Sequence, residues 1–190
     1  MKPLRLFFAL WPPEDVRQRL WGSLAPLRRA RPGVRWVPPE RYHVTLRFLG
    51  DTSAALLPSL KLAADALGGH GAFRVNFTGP GVFPPRGAPR VYWVGITPGP
   101  LPRMRKSLDA ALAREGIAPE RRSFKPHLTV GRARPGDGAR RGAGVGDGGS
   151  AEALEESFTV DALHLVRSEL FPDGPRYANI HKVVLSGCQE

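Results

Sequence analysis

Two short segments carry the residue types on which proton-transfer chemistry runs. One is His43-Val44-Thr45-Leu46, preceded by Arg41-Tyr42, and the other is His127-Leu128-Thr129-Val130, preceded by Lys125-Pro126. Each reads His, apolar, Thr, apolar, and each follows a Pro-Glu-Arg tripeptide, Pro39-Glu40-Arg41 or Pro119-Glu120-Arg121. On a β-strand, residues two apart share a face. His43 and Thr45 then point one way and Val44 and Leu46 the other, and the second segment repeats the arrangement. Two such strands facing each other make a cleft with two imidazoles and two hydroxyls. One imidazole can take a proton from an attacking oxygen while the other gives one to a departing oxygen. Histidine suits both tasks because both of its protonation states exist near neutral pH. Threonine hydroxyls and nearby amides donate to phosphoryl oxygens, where charge collects in the transition state. The set points to phosphoryl chemistry, with His43 and His127 as the proton-transfer pair and Thr45 and Thr129 as phosphate donors. It calls for no metal and no other cofactor. A single His-x-Thr carries little information, and its bland alternative is a part-buried strand histidine satisfied by a local hydroxyl. The doubled pattern carries much more.

The surrounding pattern indicates which elements position these motifs. Residues 4–10 are apolar and aromatic with turn residues after them, which predicts a strand. Pro12-Pro13-Glu14-Asp15 reads as a helix start, continued by Val16, Leu20, Leu24 and Leu27 and stopped at Pro32-Gly33. Strands are expected over 34–37 and 42–49, a second helix over 53–67, a strand over 73–77 and a Gly/Pro loop over 79–89. A strand over 91–97, a helix over 101–114, the 127–130 strand and strands over 158–165 and 177–185 complete the order. Helices interspersed with strands in this way predict an α+β fold of mostly antiparallel sheet, with helices on the outer faces. Residues 135–150 are dominated by Gly and form the one low-complexity stretch, expected to be a flexible surface loop.

The 190 residues suit a single domain, and 42% hydrophobic content is enough for an ordinary core. Twenty-three Arg and 5 Lys against 17 acids leave a formal charge of +11, which favours an anionic partner such as nucleic acid or a phosphorylated small molecule. Arg-rich codon usage or thermal adaptation is the plainer account of the same surplus. The lone Cys188 excludes a disulfide framework or a Cys-based zinc site within one chain and fits a reducing, cytoplasmic setting. The opening apolar run stops at Pro12-Pro13 without a cleavage site, and no run is long enough for a membrane span.

These residues resemble a known family. The paired motifs, with Leu4-Arg5-Leu6-Phe7-Phe8-Ala9-Leu10, His43-Val44-Thr45-Leu46-Arg47-Phe48-Leu49-Gly50, Gly81-Val82-Phe83-Pro84, Arg90-Val91-Tyr92-Trp93-Val94-Gly95 and Gly174-Pro175-Arg176-Tyr177, resemble the 2H phosphoesterases. Within them, the chain looks most like the bacterial and archaeal RNA 2′,3′-cyclic phosphodiesterases, also called 2′-5′ RNA ligases. The resemblance implies two pseudo-symmetric lobes of antiparallel sheet with the active-site cleft between them, formed by one domain over residues 1–190. It also implies that His43 protonates the leaving O3′ of a cyclic phosphate while His127 activates water, giving a 2′-phosphomonoester. Arg132 matches a phosphate-binding arginine of the family, although in an ideal strand it would point away from His127. Arg47 is a further candidate for charge near the cleft, and Phe48 and Tyr177 are the first candidates to stack a base. The partner implied is RNA with 2′,3′-cyclic phosphate ends, with tRNA fragments and cyclic nucleotides among the candidates. A monomer is expected.

Two other functions remain open at this point. One is 2′-5′ RNA ligation as the main role, the same chemistry with a 5′-hydroxyl in place of water. The other is an RNA-binding module without catalysis, for which a proton-transfer pair has no use. His70, His164 and His181 are expected to be solvated loop or strand residues.

Overall fold

In the computed structural model, residues 2–120, 123–134 and 156–186 are described. Among the described residues, nine strands form one antiparallel sheet: β1 (Leu4–Leu10), β2 (Val34–Trp36), β3 (Val44–Thr52), β4 (Phe73–Phe83), β5 (Val91–Ile96), β6 (His127–Ala133), β7 (Ser157–Val160), β8 (Ala162–Phe171) and β9 (Gly174–Val184). The helices are α1 (Glu14–Ser23), α2 (Ala25–Ala30), α3 (Leu57–Asp65) and α4 (Leu101–Arg114). Strand order is β7-β4-β5-β6-β3-β1-β8-β9, with β2 paired to the far end of β6. The α+β architecture expected from the sequence is present. Its halves correspond: β3, β1, β8, β9 on one side and β6, β5, β4, β7 on the other, meeting at a single bridge between Val44 and Leu128.

One face of the sheet takes the helices. Leu6, Phe8 and Leu10 of β1, Val44 and Leu46 of β3 and Leu128 and Val130 of β6 share a core with Leu20 of α1, Leu60 of α3 and Met104 and Leu108 of α4. Period-two alternation turns Phe7 and Ala9 to the opposite, open face, where they pack with Val166, Trp11 and Tyr177. No helix among the described residues is long and apolar enough to cross a membrane.

The two motif strands depart from regular pairing at the same place. Ala9 pairs with Thr45 and Phe8 with Arg47, so Leu46 is an extra residue in β3. Trp93 pairs with Thr129 and Tyr92 with Gly131, so Val130 is the extra residue in β6. A bulge of this kind reverses the alternation beyond it. Leu46 and Arg47 are therefore both buried while Phe48 is exposed, and Val130 and Gly131 are buried while Arg132 is exposed. The bulge carbonyls are satisfied from outside the ladder. The Leu46 carbonyl accepts from Arg105 Nη1 of α4 at 2.5 Å, and the Val130 carbonyl from the Val37 amide at 2.9 Å.

Several boundaries differ from the sequence expectation. The first helix divides at Leu24 into α1 and α2, and the second begins as a 3₁₀ turn over Ala54–Leu56 before α3. The Gly/Pro loop expected over 79–89 is in its first part the continuation of β4, because Pro80, Gly81, Val82 and Phe83 pair with β5. Gly81 is required there, since a Cβ would collide with the Trp93 indole. The strand expected over 158–165 is two strands interrupted at Asp161, β7 pairing with β4 and β8 with β1. The stretch 135–150 and Cys188 lie outside the described residues.

The clamp on the β3 bulge generates a prediction. Arg105 is 8% exposed and also donates to Asp109 at 2.7 Å. Arg105→Met keeps the apolar stem but removes the donor to the Leu46 carbonyl and leaves buried charge less well paired. It should cost about 2–4 kcal/mol of stability in urea unfolding. An unchanged unfolding midpoint would refute the clamp.

Candidate active site

The Val44–Leu128 bridge is the centre of the site as well as of the fold. Antiparallel register about it sets His43 across from Thr129 and Thr45 across from His127. Over this point lies a cavity of about 670 Å³, whose walls include His43, Thr45, His127, Thr129, Arg132, Phe48 and Tyr177. Seven of the eight residues singled out in the sequence are thus brought together on the open face.

The two imidazoles are held alike. His43 Nδ1 lies 2.8 Å from the Arg41 carbonyl, and His127 Nδ1 lies 2.7 Å from the Lys125 carbonyl, in each case two residues back. A carbonyl only accepts, so each Nδ1 carries a proton and each Nε2 is left to take or give one. Aromatic rings surround both. His43 has the ring centroids of Phe7, Trp11 and Tyr177 at 5.0, 4.9 and 5.2 Å. His127 has those of Phe83 and Trp93 at 5.2 and 6.1 Å, and the Lys125 ammonium sits 4.3 Å from the Trp93 centroid.

This packing fixes the electrostatics. Burial pushes His43 down to about 4, against a weaker upward pull from the Arg41 carbonyl, and the charges of His127 and Arg132 add to the depression. His127 is also lowered, first by burial and then by Lys125 and Arg132, with the Lys125 carbonyl opposing. Both imidazoles are therefore neutral near pH 7 while the cavity holds no anion. Burial raises the Tyr177 phenol, so Tyr177 stays a neutral donor.

Arg132 reaches the cavity because of the Val130 bulge, which supplies the bend an ideal strand lacks. Phe48 occupies the matching place beyond the Leu46 bulge. It is 43% exposed, with the Arg5 guanidinium carbon 4.7 Å from its ring centroid. Arg47 is the correction. The same bulge turns it to the helix side, where it is 6% exposed, donates to the Ala118 carbonyl at 2.5 Å and faces Asp109 and Glu120 at 3.5 and 3.6 Å. It lines no part of the cavity, and its role is in the core beneath β3.

Phe7 of the cavity wall, and Trp11, Phe83 and Trp93 beside it, have no local sequence pattern that ties them to the motifs, and only the fold shows them ringing the histidines. Arg35 and Arg41 hold the β8–β9 turn at the cavity rim by donating to the carbonyls of Pro172 and Asp173 at 3.2 and 3.4 Å. Gly174 follows at φ +122, and a Cβ there would collide with the Arg41 guanidinium. Of the histidines set aside, His181 pairs with Asp65 at 2.6 Å, and His164 lines a neighbouring cavity. No group of three or more His, Cys, Asp or Glu side chains that could hold a metal ion occurs among the described residues.

Comparison with known proteins agrees with the geometry. A family model described as the 2′-5′ RNA ligase superfamily matches residues 12–170. An RNA 2′,3′-cyclic phosphodiesterase of Methanothermobacter thermautotrophicus is 33% identical, over 93% of this chain and 96% of its own. One from Thermus thermophilus is 35% identical, over 97% of this chain and 91% of its own. A crystal structure from Thermus thermophilus superposes with a TM-score of 0.77 at 33% identity, covering 96% of this chain and 98% of that one. E. coli LigT complexed with 3′-AMP gives 0.76 at 27% identity and the same coverages, 96% and 98%. The paired His-x-Thr strands, their shared cavity and these likenesses agree, and the chain belongs to the 2′-5′ RNA ligase superfamily of 2H phosphoesterases.

Proposed function

We propose that this protein hydrolyses the 2′,3′-cyclic phosphate ends of RNA to 2′-phosphomonoesters, using His43 and His127 without a metal. The observation that carries the reading is the pair of imidazoles in one cavity, each with Nδ1 tied to a carbonyl and Nε2 left for proton transfer. Relatives named RNA 2′,3′-cyclic phosphodiesterase, and a structural neighbour complexed with 3′-AMP, support it. The substrate phosphate lies between the histidines, with its non-bridging oxygens on the Thr45 and Thr129 hydroxyls and Arg132. Water attacks phosphorus and gives a proton to His127 Nε2. The bond from phosphorus to O3′ breaks, and O3′ takes the proton from His43 Nε2. Phosphate stays on O2′, and one proton has passed from His43 to His127 across the reaction, to be returned through solvent. Phe48 and Tyr177 offer faces for the terminal base.

A bound anion also supplies the charge that protonates the pair. Burial keeps His43 neutral, but a phosphodiester monoanion beside it favours the imidazolium. Ligation follows from the same groups when a 5′-hydroxyl replaces water. The ratio of joined to hydrolysed product, at equal RNA ends, measures that branch. Arg and aromatic side chains alone would equally suit a binding module, but such a module would not respond to loss of the histidines.

Two outcomes test the roles. His43→Ala and His127→Ala should each lower kcat/KM on a 2′,3′-cyclic end by about 10²–10⁴-fold. Replacing O3′ by p-nitrophenolate, in a 3′-deoxynucleoside 2′-(p-nitrophenyl) phosphate that has no neighbouring hydroxyl to cyclise, provides a leaving group that needs no proton. His43→Ala should recover most of its activity there, and His127→Ala should not. Recovery by both or by neither removes the acid and base assignment. Full activity of either variant on the natural end removes the reaction itself.

The second outcome concerns pH. The pair must hold one proton, so kcat/KM is bell-shaped between the two apparent values of the pair. Both histidines are depressed from 6.5 in the free site, so the bell should be centred on the acid side of 6.5. The profile of kcat, which reports the complex, should be displaced upward, because the bound anion stabilises the protonated pair. A kcat/KM optimum well above 7 would contradict the buried setting of the histidines.

A further inference from the structure

Trp11 and Tyr177, which pack on His43, also line a second cavity of about 510 Å³, whose wall does not include His127. That is within the usual size range of small-ligand sites, ~300–1,000 Å³. We propose that it is the subsite for the nucleotide preceding the cyclic phosphate, so that the enzyme prefers an RNA end to a free cyclic nucleotide. The proposal rests on the cyclic phosphodiesterase reading above.

Three observations carry it. The first is adjacency: Arg41, Pro175 and Tyr177 belong to the walls of both cavities, so the two lie side by side along one rim. The second is chemistry. Arg17, Arg41 and Arg176 line the second cavity with Glu40 as the one acidic residue of its wall, and Trp11 and Tyr177 belong to the same wall. Cations alternating with rings fit a ribose-phosphate backbone bearing bases better than they fit a free anion. Arg17 is placed by its bond to the Glu40 carbonyl at 3.1 Å, and Arg176 lies over Phe171 at 4.2 Å and 3.8 Å from Asp173. His164 and Asn179, bonded to each other in the same wall, take no part in the reaction.

The third observation is direction. Two rings in the wall of the second cavity pack on His43, at 4.9 Å for Trp11 and 5.2 Å for Tyr177. His43 serves O3′, which belongs to the strand carrying the cyclic phosphate. His127 serves the incoming water or hydroxyl. The second cavity therefore lies on the side of the strand being opened, not of a strand being joined. Its charges meet the phosphate that links the last two nucleotides.

The test compares adenosine 2′,3′-cyclic phosphate with the dinucleotide ApA ending in the same group, on the wild type and on the double variant R17Q/R176Q. The wild type should favour the dinucleotide in kcat/KM by about tenfold, with a steeper loss of that preference as salt rises, as an added phosphate contact requires. R17Q/R176Q should lose the preference and the extra salt dependence while turning over the mononucleotide within about twofold of wild type. That unchanged mononucleotide activity also shows that the variant is folded. A preference that survives, or an equal fall on both substrates, overturns the subsite. Loss confined to joining with a 5′-hydroxyl acceptor assigns the cavity to the other strand and overturns it as well. A wild type inert on both substrates removes the proposed reaction, and the subsite with it.

Discussion

The site depends on one constraint in the backbone: each motif strand must change the parity of its side chains just after the threonine. A regular β3 would carry His43, Thr45 and Arg47 on one face, and a regular β6 would carry His127, Thr129 and Gly131. The extra residues Leu46 and Val130 break that order. They keep two consecutive residues in the core and return Phe48 and Arg132 to the open face. Such irregular pairing is stable only where its freed backbone groups find partners. Arg105 reaches from α4 to one bulge carbonyl and the Val37 amide to the other. The helix layer thus shapes a cavity on the opposite side of the sheet.

The same architecture opposes the charge that the chemistry needs. Aromatic rings around His43 and His127 exclude water and hold the imidazoles still, and in doing so they penalise the imidazolium. Linkage follows with a definite sign. Above 6.5, the ordinary value of the group, folded and unfolded histidines are both neutral and no proton difference exists. As pH falls below it, the unfolded chain takes up protons that the folded cavity refuses, and stability declines until the folded value is reached, about 4 for His43. An anion between the two rings reverses the balance locally. On the proposed mechanism, substrate binding and proton uptake are then one event.

Much of this was legible in the residues, for identifiable reasons. The His-x-Thr pairs state their own geometry, because a spacing of two on a strand needs no tertiary information. Apolar spacing placed the helix over 101–114 where α4 lies. Parity beyond the threonines was not legible, because a bulge leaves no mark in an apolar-Arg-Phe or apolar-Gly-Arg string. For that reason Arg47 looked like a cleft residue and Arg132 looked misdirected. Gly and Pro at 79–81 suggested a loop, yet the chain continues β4 there, with Gly81 making room for an indole. The rings around the histidines are contributed by distant strands, and no local pattern marks them.

The near-symmetry of the halves sharpens what their differences mean. About the Val44–Leu128 bridge, the histidines, their carbonyl partners, the threonines and the bulges all correspond. Two equivalent imidazoles make no distinction between the entering and leaving sides of a phosphate. The distinction has to come from positions where the halves diverge. The third residue after the threonine is Phe48 on one strand and Arg132 on the other, and both line the cavity. An aromatic face on the His43 side and a guanidinium on the His127 side suit a ligand with a base at one end and charge at the other. The rim diverges in the same sense, since Trp11 and Tyr177 pack on His43 and share the wall of the second cavity with Arg17, Arg41 and Arg176. Of the +11 surplus, the share that matters to the reaction is therefore the share distributed unevenly about the bridge. On the proposed function, net charge draws RNA to the molecule, and the broken symmetry decides which way round its end is held.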